Sequence, residues 1–176
     1  MIDIKCEDDF LKKNIVSLIE QKKFYLKNDY SNKFFFQLEF YHKENFLYCL
    51  MKDEQIKINI PKNFHEIFEK IYDFVSNKSI YLNSFKFYPF KQLMINEEKN
   101  TQFSDIQNKI MIHLLLNLDK GIEKIVLIKN IWPKDKEIFL NKLDTHLTNL
   151  KNQIFRELGF DLKFSSKSGI LKLIIN

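Results

Sequence analysis

Side chains that can form hydrogen bonds recur at helical spacing within residues 137–157, EIFLNKLDTHLTNLKNQIFRE. At 3.6 residues per turn, one side of this segment is apolar and consists of Leu140, Leu143, Leu147, Leu150 and Ile154. The opposite side carries amides and hydroxyls, with cations at its edges: Asn141, Thr145, Thr148, Asn149 and Asn152, flanked by Lys142, His146 and Lys151. Such amides and hydroxyls can reach base edges in a DNA major groove, while the flanking groups can reach phosphates. An ordinary surface helix shows the same pattern, so the neighbouring elements must distinguish the two interpretations.

The excess positive charge lies in the half of the chain that contains residues 137–157. The 176 residues carry a net charge of +5. Residues 99–176 contain 12 Lys and one Arg against eight acidic residues, whereas the charges of residues 1–98 balance. A basic half fits an interaction with a polyanion, although many domains that bind no nucleic acid have so small an excess.

The motifs of the common enzyme and metal-site classes do not occur in the sequence. No Walker loop, GxGxxG or Ser/His/Asp grouping is apparent. Cys6 and Cys49 lack the number and spacing of a disulfide scaffold or a zinc site. The four histidines are scattered along the chain: His42, His65, His113 and His146. We therefore expect no enzymatic activity, no cofactor and no metal.

Membrane insertion and secretion are not expected either. The longest apolar run, Ile110–Leu116, is too short to span a bilayer and is interrupted by His113. The acidic start, MIDIKCEDDF, lacks the apolar core of a signal peptide. These features predict a cytoplasmic protein without a membrane partner.

The elements around the polar helix form a recognisable order. Ser104 and Gln107 make a capping-box pattern before an apolar helix, and Pro133 ends the next helix. The predicted elements are strands Ile80–Tyr88 and Phe90–Asn96, helices Ile106–Leu118, Glu123–Trp132 and Glu137–Glu157, and strands Phe160–Phe164 and Ile170–Ile175, joined by SSKSG. Two strands, three helices and a β-hairpin in this order are typical of a winged helix-turn-helix, in which the hairpin is the wing.

Four stretches resemble the DNA-binding domain of OmpR/PhoB-type response regulators. SFKFYPFKQLMIN is similar to the family's leading strands, and FSDIQNKIMIHLLLN is similar to its first helix. VLIKNIWP is similar to its second helix, which ends in Trp, and LDTHLTNLK is similar to its "VDVHISRLR". Trp132 and His146 fall where the family has Trp and His. The resemblance covers roughly residues 79–175 and implies a transcription regulator that binds double-stranded DNA.

The resemblance also implies roles for individual residues. By position, base-reading residues of the family fall on Asp144, Thr145 and Asn149. Its phosphate-contacting positions fall on Asn141, Lys142, His146, Thr148 and Lys151, and Asn152 lies on the same side of the helix. The wing would present Ser165, Ser166 and Lys167 to the adjacent minor groove. The family's helix is rich in Arg, whereas LDTHLTNLK has none, which favours A·T-rich targets because Asn pairs with adenine. Fewer cations also predict a shallower dependence of affinity on salt.

The N-terminal half resembles a receiver domain more weakly. IDIKCEDDFLKKNIVSLIE is similar to a receiver's first strand, acidic pocket and first helix, and INIPKNFHEIFEKI is similar to its last strand end and helix. The linkers HKEN and KDE are too short for parallel crossovers, so Lys33–Ile60 is predicted to be an antiparallel meander. Its strands are Lys33–Tyr41, Phe46–Met51 and Gln55–Ile60, besides candidate strands Ile2–Cys6 and Lys23–Leu26.

The chemistry of phosphoryl transfer is expected to be lost from this half. The acceptor position falls near Gln37 or Glu39, and the lysine position falls on Ile60. The remaining acidic residues, Glu7, Asp8 and Asp9, can equally cap and solubilise the first helix. These departures predict a degenerate receiver that acts independently of phosphorylation.

The chain is thus predicted to be an α+β protein with two domains. Residues 1–78 would be a small α/β receiver-like remnant with a β-meander, and residues 79–176 a winged helix-turn-helix. Helices missing from one sheet face would expose Phe34, Phe36, Leu38 or their neighbours, which predicts a homodimer through this half. RNA polymerase is a further partner suggested by the resemblance, at the loop Pro133–Lys136. The alternative is a winged helix that contacts other proteins and binds no specific DNA sequence.

Overall fold

The computed structural model describes residues 2–21, 36–60, 63–133 and 140–174, without the side chains of residues 18–21 and of Phe64. The chain forms two compact units, residues 1–78 and 79–176. Helices and sheets are mixed along the chain, so the predicted α+β class is confirmed.

The first unit contains a four-stranded sheet. Strand β1 (Ile2–Cys6) lies parallel to β2 (Phe36–Lys43), and β3 (Phe46–Met51) and β4 (Glu54–Asn59) follow in antiparallel order. The predicted antiparallel meander is confirmed. Two-residue turns close both hairpins because Glu44 and Lys52 adopt a φ of 54°. The candidate strand Lys23–Leu26 lies outside the described residues.

One face of this sheet forms the core of the first unit. Helices α1 (Asp9–Gln21) and α2 (Phe64–Ser76) bury Ile15 and Ile71, and α2 begins at the N-cap Asn63. Of the alternatives predicted to be exposed, Phe36 and Leu38 are excluded because they are 7% and 0% exposed, whereas Glu39, a neighbour of Leu38, is exposed; Phe34 lies outside the described residues. Side chains alternate across a strand, and the pleat places the neighbours of Phe36 and Leu38 on the other face.

The second unit begins with an antiparallel sheet of four strands in sequence order. They are β5 (Ile80–Leu82), β6 (Phe85–Tyr88), β7 (Leu93–Asn96) and β8 (Lys99–Gln102). The prediction of two longer strands, Ile80–Tyr88 and Phe90–Asn96, is therefore wrong. Asn83 and Glu97 adopt positive φ angles in the turns before β6 and β8, and neither turn contains the glycine that usually marks such a turn. Strand β8 buries only Thr101, so its sequence lacks the alternation of apolar and polar residues that would predict a strand.

Three helices and a second small sheet complete this unit. The predicted capping box of Ser104 and Gln107 is confirmed at the start of the first of these helices. The elements are α3 (Asp105–Leu116), β9 (Ile122–Glu123), α4 (Lys124–Ile131), α5 (Leu140–Leu158), β10 (Lys163–Lys167) and β11 (Ile170–Ile174). Glu123 was predicted to be helical but belongs to β9, which pairs with β11, so the sheet order is β10-β11-β9. Residues 134–139 lie outside the described residues.

The hairpin β10–β11 is tighter than predicted. The connection was expected to span SSKSG, but β10 continues through Lys167 and only Ser168 and Gly169 form the turn. Their φ angles of 50° and 78° are those of a two-residue hairpin turn. Among the described residues, no helix is long and apolar enough to cross a membrane.

Candidate nucleic-acid interface

Helix α5 buries its apolar side and exposes its polar side. The buried residues are Leu143, Leu147, Leu150, Ile154 and Leu158, whereas Leu140, predicted to belong to them, is 45% exposed at the first turn. The exposed residues include six of the predicted contact positions: Asn141, Asp144, Thr145, Thr148, Asn149 and Asn152. An exposed row of amides and hydroxyls about 17 Å long can follow a major groove.

The amides and hydroxyls of this row are not equally available. Thr145 Oγ1 donates to the Asn141 carbonyl oxygen and Thr148 Oγ1 donates to the Asp144 carbonyl oxygen, both at 2.9 Å. These hydroxyls keep acceptor lone pairs, but Thr148 must rotate before it can donate to a phosphate, which only accepts. Within the described residues, the side-chain amides of Asn149 and Asn152 have no hydrogen-bond partner. They are therefore the groups best prepared to read a base.

An ion pair offsets the negative charge on this side of α5. Lys124 Nζ, at the start of α4, lies 2.7 Å from Asp144 Oδ1. The Lys124 side chain is 18% exposed and that of Asp144 is 51% exposed. The second carboxylate oxygen of Asp144 can accept a hydrogen bond from the N4 amino group of cytosine, which is the usual base contact of a carboxylate.

A second cation is held at the edge of the polar side. Lys142 Nζ lies 4.4 Å from the ring centroid of Trp132, and the rings of Trp132 and His146 are 5.4 Å apart with a 38° tilt. The cation–π contact limits the positions of the Lys142 ammonium. Partial burial, together with the charge of Lys142, lowers the pKa of His146 below its usual 6.5. His146 is therefore neutral at pH 7 in the free protein.

The last predicted cation of α5 is only partly available. Lys151 Nζ lies 3.1 Å from Asp161 Oδ1, and both side chains are nearly half exposed. An exposed pair of this kind contributes little to stability because water screens it. Lys151 can therefore exchange Asp161 for a phosphate at small cost.

The wing is attached to the start of α4 by close backbone contacts. The Lys124 N–H donates to the Gly169 carbonyl oxygen at 2.9 Å, and Ile122 pairs with Leu171. At Gly121, with a φ of 75°, a Cβ would lie 2.7 Å from Ile170 Cγ2. Of the predicted wing contacts, Ser166 and Lys167 are exposed and Ser165 is half-buried.

A polar network holds the C-terminal half of α5 against β8. Gln153 Nε2 donates to Thr101 Oγ1 at 2.8 Å and to the Gln102 carbonyl oxygen at 2.9 Å. The buried Thr101 hydroxyl donates to Glu157, and this bond and that from Arg156 lower the pKa of the Glu157 carboxyl. Gln153 also accepts from Gln107 of α3 at 2.8 Å. The network specifies the position of α5 against β8 and α3.

Two residues of the candidate interface were not identified from the sequence. Lys124 is 20 positions from Asp144, and no local pattern links them. Ser168 lies at the tip of the hairpin, and the dipeptide Ser-Gly is a turn signal that could have located it. Among the described residues, no group of three His, Cys, Asp or Glu could hold a metal ion.

No protein-family model and no curated protein sequence matches the chain. Solved structures that are similar to part of it include the following two. The C-terminal domain of the nisin resistance regulator NsrR, a lantibiotic response regulator, is 25% identical over 55% of this chain and 96% of that one, with a TM-score of 0.45. The DNA-binding domain of E. coli CadC is 9% identical over 57% of this chain and 95% of that one, with a TM-score of 0.49. Both TM-scores are below 0.5, so the case for a function rests on the geometry of α5 and the hairpin and not on these two similarities.

Proposed function

We propose that the chain is a DNA-binding transcription regulator of the OmpR/PhoB type, located in the cytoplasm. Residues 79–176 would act as a winged helix, with α5 in the major groove and the hairpin β10–β11 as the wing. The observation that carries this proposal is that α5 exposes its Asn/Thr side within the same compact unit as the hairpin. An exposed polar helix next to a β-hairpin provides one reader for each groove.

Base reading is proposed for four residues on the exposed side of α5. Asn149 and Asn152 would pair with adenine, Asp144 would accept from cytosine, and Thr145 would contact a neighbouring base. The unpaired amides of Asn149 and Asn152 support a preference for A·T-rich sites. Contacts with the DNA phosphates are proposed for Asn141, Lys142, His146, Thr148 and Lys151. Contacts of the wing with the minor groove are proposed for Ser165, Ser166 and Lys167.

Independence from phosphorylation is proposed for residues 1–78. Gln37, near the expected acceptor position, has its amide bound to Asp3 Oδ2 at 2.9 Å. Asp8 Oδ1 accepts from the Leu11 N–H at 2.9 Å, which supports a capping role for this acidic cluster. Treatment with acetyl phosphate and Mg²⁺ should therefore change neither the mass of the protein nor its affinity for DNA.

Two partners are proposed besides DNA. A homodimer through residues 1–78 would allow two winged helices to read paired half-sites. RNA polymerase was expected to contact the loop Pro133–Lys136; residues 134–136 lie outside the described residues, so this contact remains a prediction.

The alternative function is a winged helix that binds a protein. Phe155, 60% exposed on α5 close in angle to Thr148, favours it because an exposed phenyl ring is more typical of protein interfaces than of DNA contacts. Selection of bound sequences from random duplex distinguishes the two functions. A regulator would enrich a common A·T-rich sequence, whereas enrichment of no sequence would contradict the proposal.

Variants of the full chain then test the assignment of the reader. Asn149→Ala should reduce the preference for the selected sequence over random duplex by about tenfold, because a bidentate base contact is worth about 1–3 kcal/mol. Lys151→Ala should weaken binding to all sequences alike. Asn100→Ala, at an exposed position on β8, is the matched control and should change neither quantity.

A further inference from the structure

Within the described residues, neither α1 nor α2 covers the face of the first unit's sheet that lies opposite its core, and we call it the open face. Directly paired residues of β2, β3 and β4 place three cross-strand rows on it. The rows are Glu39, Leu50 and Gln55; Tyr41, Tyr48 and Lys57; and Lys43, Phe46 and Asn59. An apolar line along β3 is thus flanked by polar and charged residues on both sides. Within the described residues, the buried side chains of α1 and α2 lie on the core side of the sheet.

The middle of the open face is an ordered aromatic cluster. The rings of Tyr41 and Tyr48 stack at 4.8 Å with a 6° interplanar angle. Lys57 Nζ lies 3.5 Å from the ring centroid of Phe46 and 5.8 Å from that of Tyr48. Tyr41 is 40% exposed, whereas Phe46, Tyr48 and Leu50 are each half-buried. Rings stacked on each other offer edges and hydroxyls rather than a flat surface for a nucleobase, so the cluster is better suited to packing against protein.

The charges at the two ends of this set of rows are opposite. Glu39, in the middle of β2, belongs to the first row, and Lys43, the last residue of β2, belongs to the third, with Tyr41 midway between them. Both are exposed, and neither has an ion-pair partner among the described residues, although Lys5 lies beside Glu39 in the register of β1. A twofold axis that crosses the strands at the Tyr41–Tyr48 row exchanges these two ends. It would place each Glu39 over Lys43 of the other copy and each Leu50 over Phe46.

We propose that a second copy of this chain packs on the open face, with the twofold axis perpendicular to the strands. A twofold axis parallel to the strands would instead oppose Glu39 with Gln55 and form no ion pair. The first arrangement forms two Glu39–Lys43 pairs. It also brings Lys57 near Lys57 of the other copy, but each of these ammonium groups lies over the Phe46 ring of its own copy at 3.5 Å, so the two ion pairs favour the first arrangement. Stacked sheets pack about 10 Å apart, which leaves room for the rings of the middle row between them. The inference specifies the surface of the dimer named in the proposed function.

Sedimentation equilibrium of the full chain without DNA tests this interface. The wild type should form dimers at micromolar concentration. Glu39→Lys should raise the dimer dissociation constant at least about tenfold, because two lysines would then face each other on both sides of the axis. The exchange Glu39→Lys/Lys43→Glu should restore the wild-type constant to within about threefold, since it re-forms both pairs with reversed polarity.

The matched control is Glu98→Lys, which makes the same charge change at an exposed position in the turn between β7 and β8 of the second unit. It should leave the dissociation constant unchanged, and thermal melting should show that all four proteins are folded. A monomeric wild type, an unaffected Glu39→Lys variant, or a double exchange that fails to restore the dimer would each overturn the proposal. Because no DNA is present, failure of the interface is distinguishable from failure of sequence-specific binding.

Discussion

Lys124 Nζ lies 2.7 Å from Asp144 Oδ1, and this ion pair joins the first residue of α4 to the exposed side of α5. The pair neutralises the charge of the Asp144 carboxylate before any DNA is bound. It also holds the carboxylate in one orientation, because Lys124 itself is mostly buried. The pair therefore sets both the local charge and the direction in which Asp144 can accept a hydrogen bond.

Asp144→Asn should increase affinity for random duplex about threefold to tenfold, because it leaves Lys124 available to a phosphate. The slope of log affinity against log salt should become steeper by about one unit. Fluorescence anisotropy at several salt concentrations measures both quantities. The double variant Lys124→Met/Asp144→Asn should return the slope to the wild-type value. An unchanged slope in the single variant would show that the pair lies away from the DNA.

Binding to DNA should strengthen as pH falls from about 7.5 to about 5.5. In the free protein the pKa of His146 is lowered, first by burial and then by Lys142, so the ring is neutral at pH 7. A phosphate beside His146 would raise that pKa, so a proton is taken up on binding. The dissociation constant of the His146→Gln variant for DNA, measured across this pH range, should not depend on pH. His65→Gln, at an exposed position on α2, should keep the pH dependence.

Acid should destabilise the fold through His113 of α3. Burial, with a smaller effect of the Lys109 charge, lowers its pKa to about 4. The unfolded chain binds this proton near pH 6.5, so the free energy of unfolding should fall as pH decreases from 6.5 to 4, by about 2 kcal/mol after allowance for partial exposure. Urea unfolding at both ends of that range measures the change. His113→Gln should flatten the dependence relative to His65→Gln; equal dependence in both would refute the assignment.

Gly121→Ala should destabilise the protein more than Gly169→Ala does. Both glycines have a φ between 75° and 78°, which adds about 1 kcal/mol of backbone strain for alanine. Only at Gly121 would the new Cβ also meet a backbone atom, the Leu171 carbonyl oxygen at 2.8 Å. We expect a loss above about 2 kcal/mol for Gly121→Ala and about 1 kcal/mol for Gly169→Ala. Thermal melting compares them, and equal losses would contradict the close approach of β9 and β11.

The predictions that the structure confirms depend on neighbouring residues. Ser104 and Gln107 cap α3 through contacts three residues apart. The predictions that failed depend on pairing with distant residues. The burial of Phe36 and Leu38 depends on which face of the sheet the helices cover. Glu123 belongs to strand β9 and not to a helix because it pairs with Ile170.

The sequence alone predicted a helix with one apolar side within residues 137–157, because helical periodicity and side-chain chemistry are local properties; the structure has this helix at Leu140–Leu158. It also determined the meander of the first unit, because short polar linkers permit only antiparallel neighbours. Only the tertiary structure decided that the Asn/Thr side of α5 is exposed, that Lys124 reaches Asp144, and that Glu39 and Lys43 bracket an aromatic cluster. These relationships arise from packing and register between elements far apart in the chain, which no local pattern encodes.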